Sequence, residues 1–156
     1  MRYDVEIVAA QTFTGFLQAV ASTQPGQLLD PTACPIVNFF DPMDVDDADR
    51  VTVDVENADT DDTDSGRFEA DVSIGVKTLW HQPSIGADML LHFARLNDVR
   101  DKLMTANLVT LLAAYAPAGV VIDAVEHKKR LKSGKFKMFW FSQTIVTVKG
   151  FFAAGT

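Results

Sequence analysis

The chain has 156 residues, a size that suits one domain, and its 47% hydrophobic and 22% charged content is typical of soluble globular domains. The formal net charge of -7 argues against a nucleic-acid binder held by phosphate contacts, because such a protein needs a basic face. Cys34 is the single cysteine, so the fold does not depend on an internal disulfide, and we expect Cys34 to be a small buried or half-buried residue and not a nucleophile. We expect neither a signal peptide nor a membrane span of roughly 20 apolar residues.

The first predicted elements are an amphipathic helix and a short strand. The helix lies within residues 1–20, where four apolar side chains recur at helical spacing: Phe13, Phe16, Leu17 and Val20. A polar connection rich in proline follows, and "IVNFF" (36–40) then predicts the short strand, which ends at Asp41-Pro42.

Two strands with strict alternation follow. In "RVTVDVE" (50–56) the valines share one face, and in "RFEADVSIGVKTLW" (67–80) the apolar residues from Phe68 to Val76 do the same. A polar segment that contains Gly66 separates the two runs. This pattern predicts a long antiparallel hairpin.

The second half of the chain predicts a helix pair and a second hairpin. "PSIGADMLLHFARLNDVRDKLM" (83–104) has apolar residues in steps of three and four, and Asp98 and Lys102 form a favourable exposed pair. A short helix within 105–119 comes next. "VVIDAVEHKKR" and "FKMFWFSQTIVTVKGFF" then predict strands joined by a turn at Ser133-Gly134, and the last strand is apolar on both faces and therefore covered on both sides.

The order of these elements indicates the fold class. Strands come in adjacent pairs instead of alternating with helices, which predicts an α+β fold with a mainly antiparallel sheet, long hairpins and helices packed on one face. We expect a single domain over residues 1–156, with an acidic hairpin arm at about 41–67.

Charge is unevenly distributed along the chain. The acidic segment, Asp41 to Asp64, holds eleven of the 21 acidic residues, and the basic segment, Lys128 to Lys137, holds six of the 14 basic residues. The two segments either pair between subunits in head-to-tail assembly or form two solvated hairpin tips. Under the first interpretation the candidate interface residues are Asp59, Asp61, Asp62, Asp64, Lys128, Lys129, Arg130, Lys132, Lys135 and Lys137.

The dense aspartates of the acidic segment also raise the question of calcium. An EF-hand loop that starts at Asp61 would have Gly66 at position 6, as required, but Val72 at position 12, where a bidentate glutamate belongs. A start at Asp59 fails at both positions, and strands flank the loop where helices should lie. We therefore expect no dedicated metal site, although an opportunistic calcium contact stays open.

Catalytic patterns are also missing from the sequence. The three histidines, His81, His92 and His127, do not pair with another ligand at zinc spacing, and we expect surface or helix-face positions for them. Cys34 and the serines have no nucleophile signature, and no glycine-rich phosphate loop occurs. The sequence predicts no catalytic residues, no metal, no cofactor and no enzymatic activity.

The layout resembles that of tail terminator proteins of long-tailed bacteriophages. The resemblance covers most of the chain and lies in "VAAQTFTGFLQAV", "PIVNFF", the charged strands "RVTVDVENADTDDTDSGRFEADVSIGV", the helix "LLHFARLNDVRDKLM" and the closing strand "FWFSQTIVTVKGFF". It rests on the order of elements and not on an invariant motif, and the long acidic segment departs from the family pattern.

The resemblance implies a function and a set of partners. It implies an α+β subunit of a homo-oligomeric ring, a hexamer, that caps the head-proximal end of the tail tube and joins it to the head connector. The partners would be other copies of the chain, the tail tube protein, the connector, and DNA that passes through the lumen without sequence recognition; no membrane is involved. The protein would be assembled in the host cytoplasm and located in the tail or neck of the virion. Three alternatives stay open: another tube or connector subunit, a monomeric module whose acidic loop binds calcium or a basic partner, and a small accessory enzyme.

Overall fold

A computed structural model describes residues 4–20, 34–38, 49–60, 66–79, 85–128, 134–135 and 139–153 of the chain, with only the backbone of 59–60, 85–88 and 134–135. These residues form three helices and six strands. In chain order they are α1 (Val5–Val20), β1 (Ile36–Asn38), β2 (Arg50–Thr60), β3 (Arg67–Leu79), α2 (Ile85–Leu103), α3 (Leu108–Ala113), β4 (Val120–His127), β5 (Gly134–Lys135) and β6 (Phe139–Phe152). The predicted α+β class is confirmed.

The strands form one mixed sheet in the order β1-β2-β3-β6-β4, and β5 also pairs with β6. All neighbours are antiparallel except β1 and β2, which are parallel. The sheet is therefore mainly antiparallel, as the sequence predicts. The residues that would close the two predicted hairpins, 61–65 and 129–133, lie outside the described part of the chain.

The longest pairing in the sheet joins β3 to β6, from Arg67 opposite Phe151 to Leu79 opposite Phe139. In the middle of β6, every residue from Thr144 to Val148 is buried, so side chains on both faces of the strand are covered. Because side chains alternate between the two faces of a strand, this run has no charged residue, and its two polar members, Thr144 and Thr147, are buried with the apolar ones. Cover on both sides is therefore found for residues 144–148 but not for Phe139, Trp140 and Phe141, which are half-buried.

Helix α1 begins at a side-chain cap and packs through one face. The Asp4 carboxylate accepts hydrogen bonds from the backbone N–H groups of Glu6 (2.9 Å) and Ile7 (3.3 Å), which satisfies donors that the first turn leaves without intrahelical partners. The predicted apolar stripe is buried at Phe13, Phe16 and Leu17 but 36% exposed at Val20, where the helix ends.

The helices and one face of the sheet share a single hydrophobic core. Its strand residues alternate in sequence, as the sequence predicts, and Cys34 is also buried in it, as expected. The largest fully buried members are Phe13, Phe16, Leu17, Ile74, Leu96, Leu103 and Leu112. Burying such side chains stabilises the fold by roughly 1.5–3 kcal/mol each.

Two irregularities change which face a residue occupies. The β2–β3 register shifts between Val55 and Asn57, and the β4–β6 register shifts between Ile122 and Ala124. Because a one-residue shift moves later side chains to the other face, Asn57 pairs with Asp71 on the side away from the helices.

Candidate subunit-interface surfaces

The face of the sheet turned away from the helices is charged, and we call it the open face. Arg50 and Asp54 of β2 lie on this face. Its charged residues on β3, β6 and β4, with Lys128 directly after β4, are Arg67, Glu69, Asp71, Lys77, Asp123, Glu126, Lys128 and Lys149. They share this face because alternate residues of each strand point to this side. Most of them are joined across strands as opposite charges: Arg67 with Asp123 at 3.4 Å, Lys149 with Glu126 at 3.2 Å and Lys128 with Asp71 at 2.9 Å.

Asp71 is the most highly connected residue of the open face. Its carboxylate accepts hydrogen bonds from the Thr147 hydroxyl (2.6 Å), the Lys128 ammonium group (2.9 Å) and the Asn57 amide (3.4 Å). The bond from Thr147, followed by those from Lys128 and Asn57, lowers the pKa of Asp71 below its ordinary value, although partial burial opposes this shift. Asp71 also lines a groove of about 360 Å³ together with Asn57, Ala58 and Glu69.

Two further groups on this side have shifted pKa values. The hydrogen bond to Glu126 raises the pKa of Lys149, because the bond favours the charged ammonium form. Burial raises the pKa of Asp54, and the charge of Arg50 partly offsets that rise. Both shifts have ordinary structural causes, an ion pair and a desolvated strand carboxylate.

The structure describes only part of the predicted interface set. Lys128 is exposed, but its ammonium group already contacts Asp71 within the same chain, a pairing that the sequence reading missed. The backbone of Asp59 pairs with Glu69 in β3, and the backbone of Lys135 pairs with Trp140 in β6. The remaining candidates lie outside the described residues: Asp61, Asp62, Asp64, Lys129, Arg130, Lys132 and Lys137.

A buried polar cluster connects α2 to the sheet through hydrogen bonds, and it was not predicted from the sequence. The His92 ring contacts the hydroxyl groups of Thr78 (3.0 Å, Nδ1) and Ser142 (2.9 Å, Nε2). Arg95 donates to the Asp49 carboxylate at 2.6 Å, and the exposed side-chain fractions of this pair are 5% and 9%. Of the two positions expected for His92, the helix-face position is found and the surface position is not. His92 lies on the core-facing side of α2 and is 1% exposed.

The His92–Ser142 contact has the spacing of a base and a nucleophile, but Ser142 is fully buried, so a substrate does not reach its hydroxyl group. The contact is a structural one. The sequence does carry a signal for the burial of this cluster. His92 and Arg95 lie one helical turn before the buried Leu96 and Val99, respectively. Thr78 and Ser142 are polar residues at strand positions that face the core.

Within the described ranges, no three histidine, cysteine or acidic side chains are grouped so that they could hold a metal ion. No protein-family model and no curated protein matches the chain. Among the helices of the described residues, none is both long and apolar enough to span a membrane. The described residues present charged strands, a small pocket lined by Arg100 and His127, and exposed helix side chains such as Leu90 and Met104.

Proposed function

We propose that the chain is a structural virion protein of long-tailed bacteriophages, a tail terminator without enzymatic activity. Copies of it form a ring that closes the head-proximal end of the tail tube and joins the tube to the head connector. The order of elements supports the proposal, because it is the order that the resemblance implies. The chain runs through α1, β1, the charged strands β2 and β3, α2 and the closing strand β6.

The observation that carries the proposal is the β2–β3 pair. The two strands stay paired as far as Thr60 and Phe68, beyond the last core valine of β2, and the side chains of Glu56, Asn57 and Ala58 are exposed there. β2 therefore exposes backbone and the polar side chains of Glu56 and Asn57 a few residues before the end of the acidic segment at Asp64. The exposure is confined to β2, because Ala70 and Phe68, the β3 partners of Ala58 and Thr60, remain in the hydrophobic core. An exposed end of a strand suits a subunit that contacts neighbours, because it leaves backbone groups open to pairing with another chain.

Electrostatics suggest how this extension works in a ring. The acidic segment would lie either against the basic segment of the next copy or along the lumen, where like charge keeps DNA from adhering. Either location lets DNA pass without sequence recognition, which agrees with a net charge of -7. The open face, with its ion pairs made within the chain, would contact the tube protein or the connector through polar groups.

The test is capping of tail tubes. A genome that encodes a terminator also encodes a tube protein, so the chain is mixed with tubes assembled from that protein and imaged by negative-stain electron microscopy. We expect extra density at one end of each tube and no density along its length. Tubes with bare ends, or with the chain bound along the wall, would contradict the proposal. An unrelated acidic protein of similar size is the control for adhesion by charge alone.

A further inference from the structure

A small pocket with a basic lining lies where the last turn of α2 meets the end of β4 and the middle of β6. Its volume is about 90 Å³, and its lining residues are Arg100, Leu103, Met104, His127, Lys128 and Thr144. This volume holds one carboxylate-sized group and is too small for a nucleotide or another extended cofactor. We call it the Arg100 pocket.

Among the described residues, Arg100 and His127 differ from the other basic side chains. The others have partners within the chain: Arg67 with Asp123, Arg95 with Asp49, Lys102 with Asp98, Lys128 with Asp71, Lys149 with Glu126, Lys77 with the ring of Phe139, and Arg50 with the charge of Asp54. Among the residues that the structure describes, the side chains of Arg100 and His127 contact no carboxylate and make no hydrogen bond.

A guanidinium group and an imidazole ring that line one pocket suit a carboxylate, because both can donate hydrogen bonds to its oxygens. Part of the reason for Arg100 is its place in the last turn of α2, where a cation favours the helix dipole. The dipole does not explain why His127, from a different element, faces the same pocket. A guanidinium group binds a carboxylate through two parallel hydrogen bonds, and the apolar Leu103 and Met104 beside it would reduce competition from water.

We propose that the Arg100 pocket receives an aspartate or glutamate side chain from the acidic segment of a second copy of this chain. The acidic segment has eleven carboxylates and a single basic residue, Arg50, in its own sequence. Lys128, the first residue of the basic segment, also lines the pocket. A DNA phosphate is the less suitable occupant, because a net charge of -7 repels DNA from the chain as a whole.

This inference rests on the ring assembly proposed above and adds to it two residues that charge counting along the sequence did not identify. It also gives Lys128 a different role from Arg100 and His127, which line the same pocket. The ammonium group of Lys128 is held by Asp71 of its own chain, so the intersubunit contact at this point falls to Arg100 and His127.

The experiment measures binding of a fluorescently labelled peptide with the sequence of residues 54–66 to the full chain by anisotropy. We expect saturable binding that weakens as the salt concentration rises. Arg100→Gln should weaken binding by about tenfold, the effect of losing one charge-assisted hydrogen-bonded pair. Arg67→Gln, which removes the same charge on the open face, should leave binding unchanged, and a peptide with Asn and Gln in place of Asp and Glu should not bind.

Other outcomes would overturn the inference. The first is that the peptide does not bind the wild-type chain. The second is that Arg100→Gln and the wild type bind it equally while having the same melting temperature. The third is that a short DNA duplex displaces the labelled peptide more strongly than unlabelled peptide does. The result is independent of ring formation. Rings without peptide binding would refute the pocket alone, whereas peptide binding without rings would refute the terminator proposal and leave the pocket in place.

Discussion

Gly150 shows how closely β6 is fitted against its neighbours. A Cβ atom at Gly150 would collide with the carbonyl oxygen of Val121 in β4 and would lie 2.8 Å from the ring of Phe68. The backbone of β4 cannot move aside without losing its pairing with β6. The absence of a side chain at this position is therefore a packing requirement.

We predict that Gly150→Ala destabilises the chain by about 2–3 kcal/mol, the usual cost of overpacking where backbone must shift. Gly15 is the matched control, because a Cβ there would lie 3.4 Å from the Tyr115 ring, at ordinary contact distance. Since alanine favours a helix over glycine by roughly 0.5–1 kcal/mol, Gly15→Ala should be neutral or stabilising. Urea denaturation measures both; equal effects would show that β4 is not fitted against Gly150 as described.

A second residue-scale prediction concerns Asp71 and pH. The pKa of Asp71 is lowered in the folded chain, so its contribution to stability is present above the unfolded value of about 3.9 and is lost as the pH falls through the folded value. We expect Asp71→Asn to destabilise the chain by about 1 kcal/mol at pH 7, because its hydrogen bonds are no longer charge-assisted.

The difference between Asp71→Asn and wild type should shrink as the pH falls below about 4. Denaturation midpoints at several pH values test this. A difference that stays constant down to pH values near 2 would mean that the carboxylate charge contributes nothing. Glu69→Gln, on the same strand and face, is the control, because the structure gives Glu69 no comparable set of hydrogen bonds among the described residues.

At the residue scale, sequence reasoning succeeded where neighbours are local. It identified the Asp98–Lys102 pair, which is found at 2.8 Å, and the burial of Cys34. It missed the contacts of His92 with Ser142 and of Lys128 with Asp71, because the partners are 50 and 57 residues away in the chain. Such contacts depend on the strand register, which a single sequence does not specify.

At the element scale, the pairing of Arg95 with Asp49 ties α2 to the start of β2. Both side chains are nearly inaccessible to water, and Asp49 also accepts the backbone N–H of Leu79 at 2.8 Å. Because removal of one partner from a buried ion pair leaves a buried charge behind, we predict that Arg95→Ala costs about 3–5 kcal/mol.

Lys102→Ala is the control for Arg95→Ala. It removes a cation from the same helix and breaks a partly exposed pair, which should cost at most about 1 kcal/mol. Thermal unfolding followed by circular dichroism compares the two variants. If Arg95→Ala were no more costly than Lys102→Ala, the ion pair would not be what fastens α2 to the sheet.

The elements themselves were largely predictable. The alternation of Val51 and Val53, and of the apolar residues of β3, predicted the faces that the structure shows, because burial on one side imposes a period of two. The parallel pairing of β1 with β2 was not predictable, since a strand of three residues carries no signal for its direction. The bulge near Asp123 was missed for a similar reason: no glycine or proline marks it.

At the scale of the whole molecule, the separation of charge between the acidic and basic segments is the basis of the proposed assembly. Pairing of the acidic and basic segments between copies should weaken with salt, because exposed charges are screened over about 8–10 Å at physiological ionic strength. Lys128 is a poor site at which to test this, as its reversal would also remove the contact with Asp71. Lys129 and Arg130 are better choices, and Lys129→Glu with Arg130→Glu should lower the oligomer fraction in size-exclusion chromatography. An unchanged elution profile would exclude charge pairing at these residues.

Negative-stain electron microscopy of the purified protein at low salt tests whether copies of this chain close into a ring. We expect rings of uniform diameter with an open centre, which disperse as salt rises from roughly 0.05 M to about 0.5 M. Particles that remain single subunits at every salt and protein concentration, or that grow into open chains without closing, would contradict this expectation.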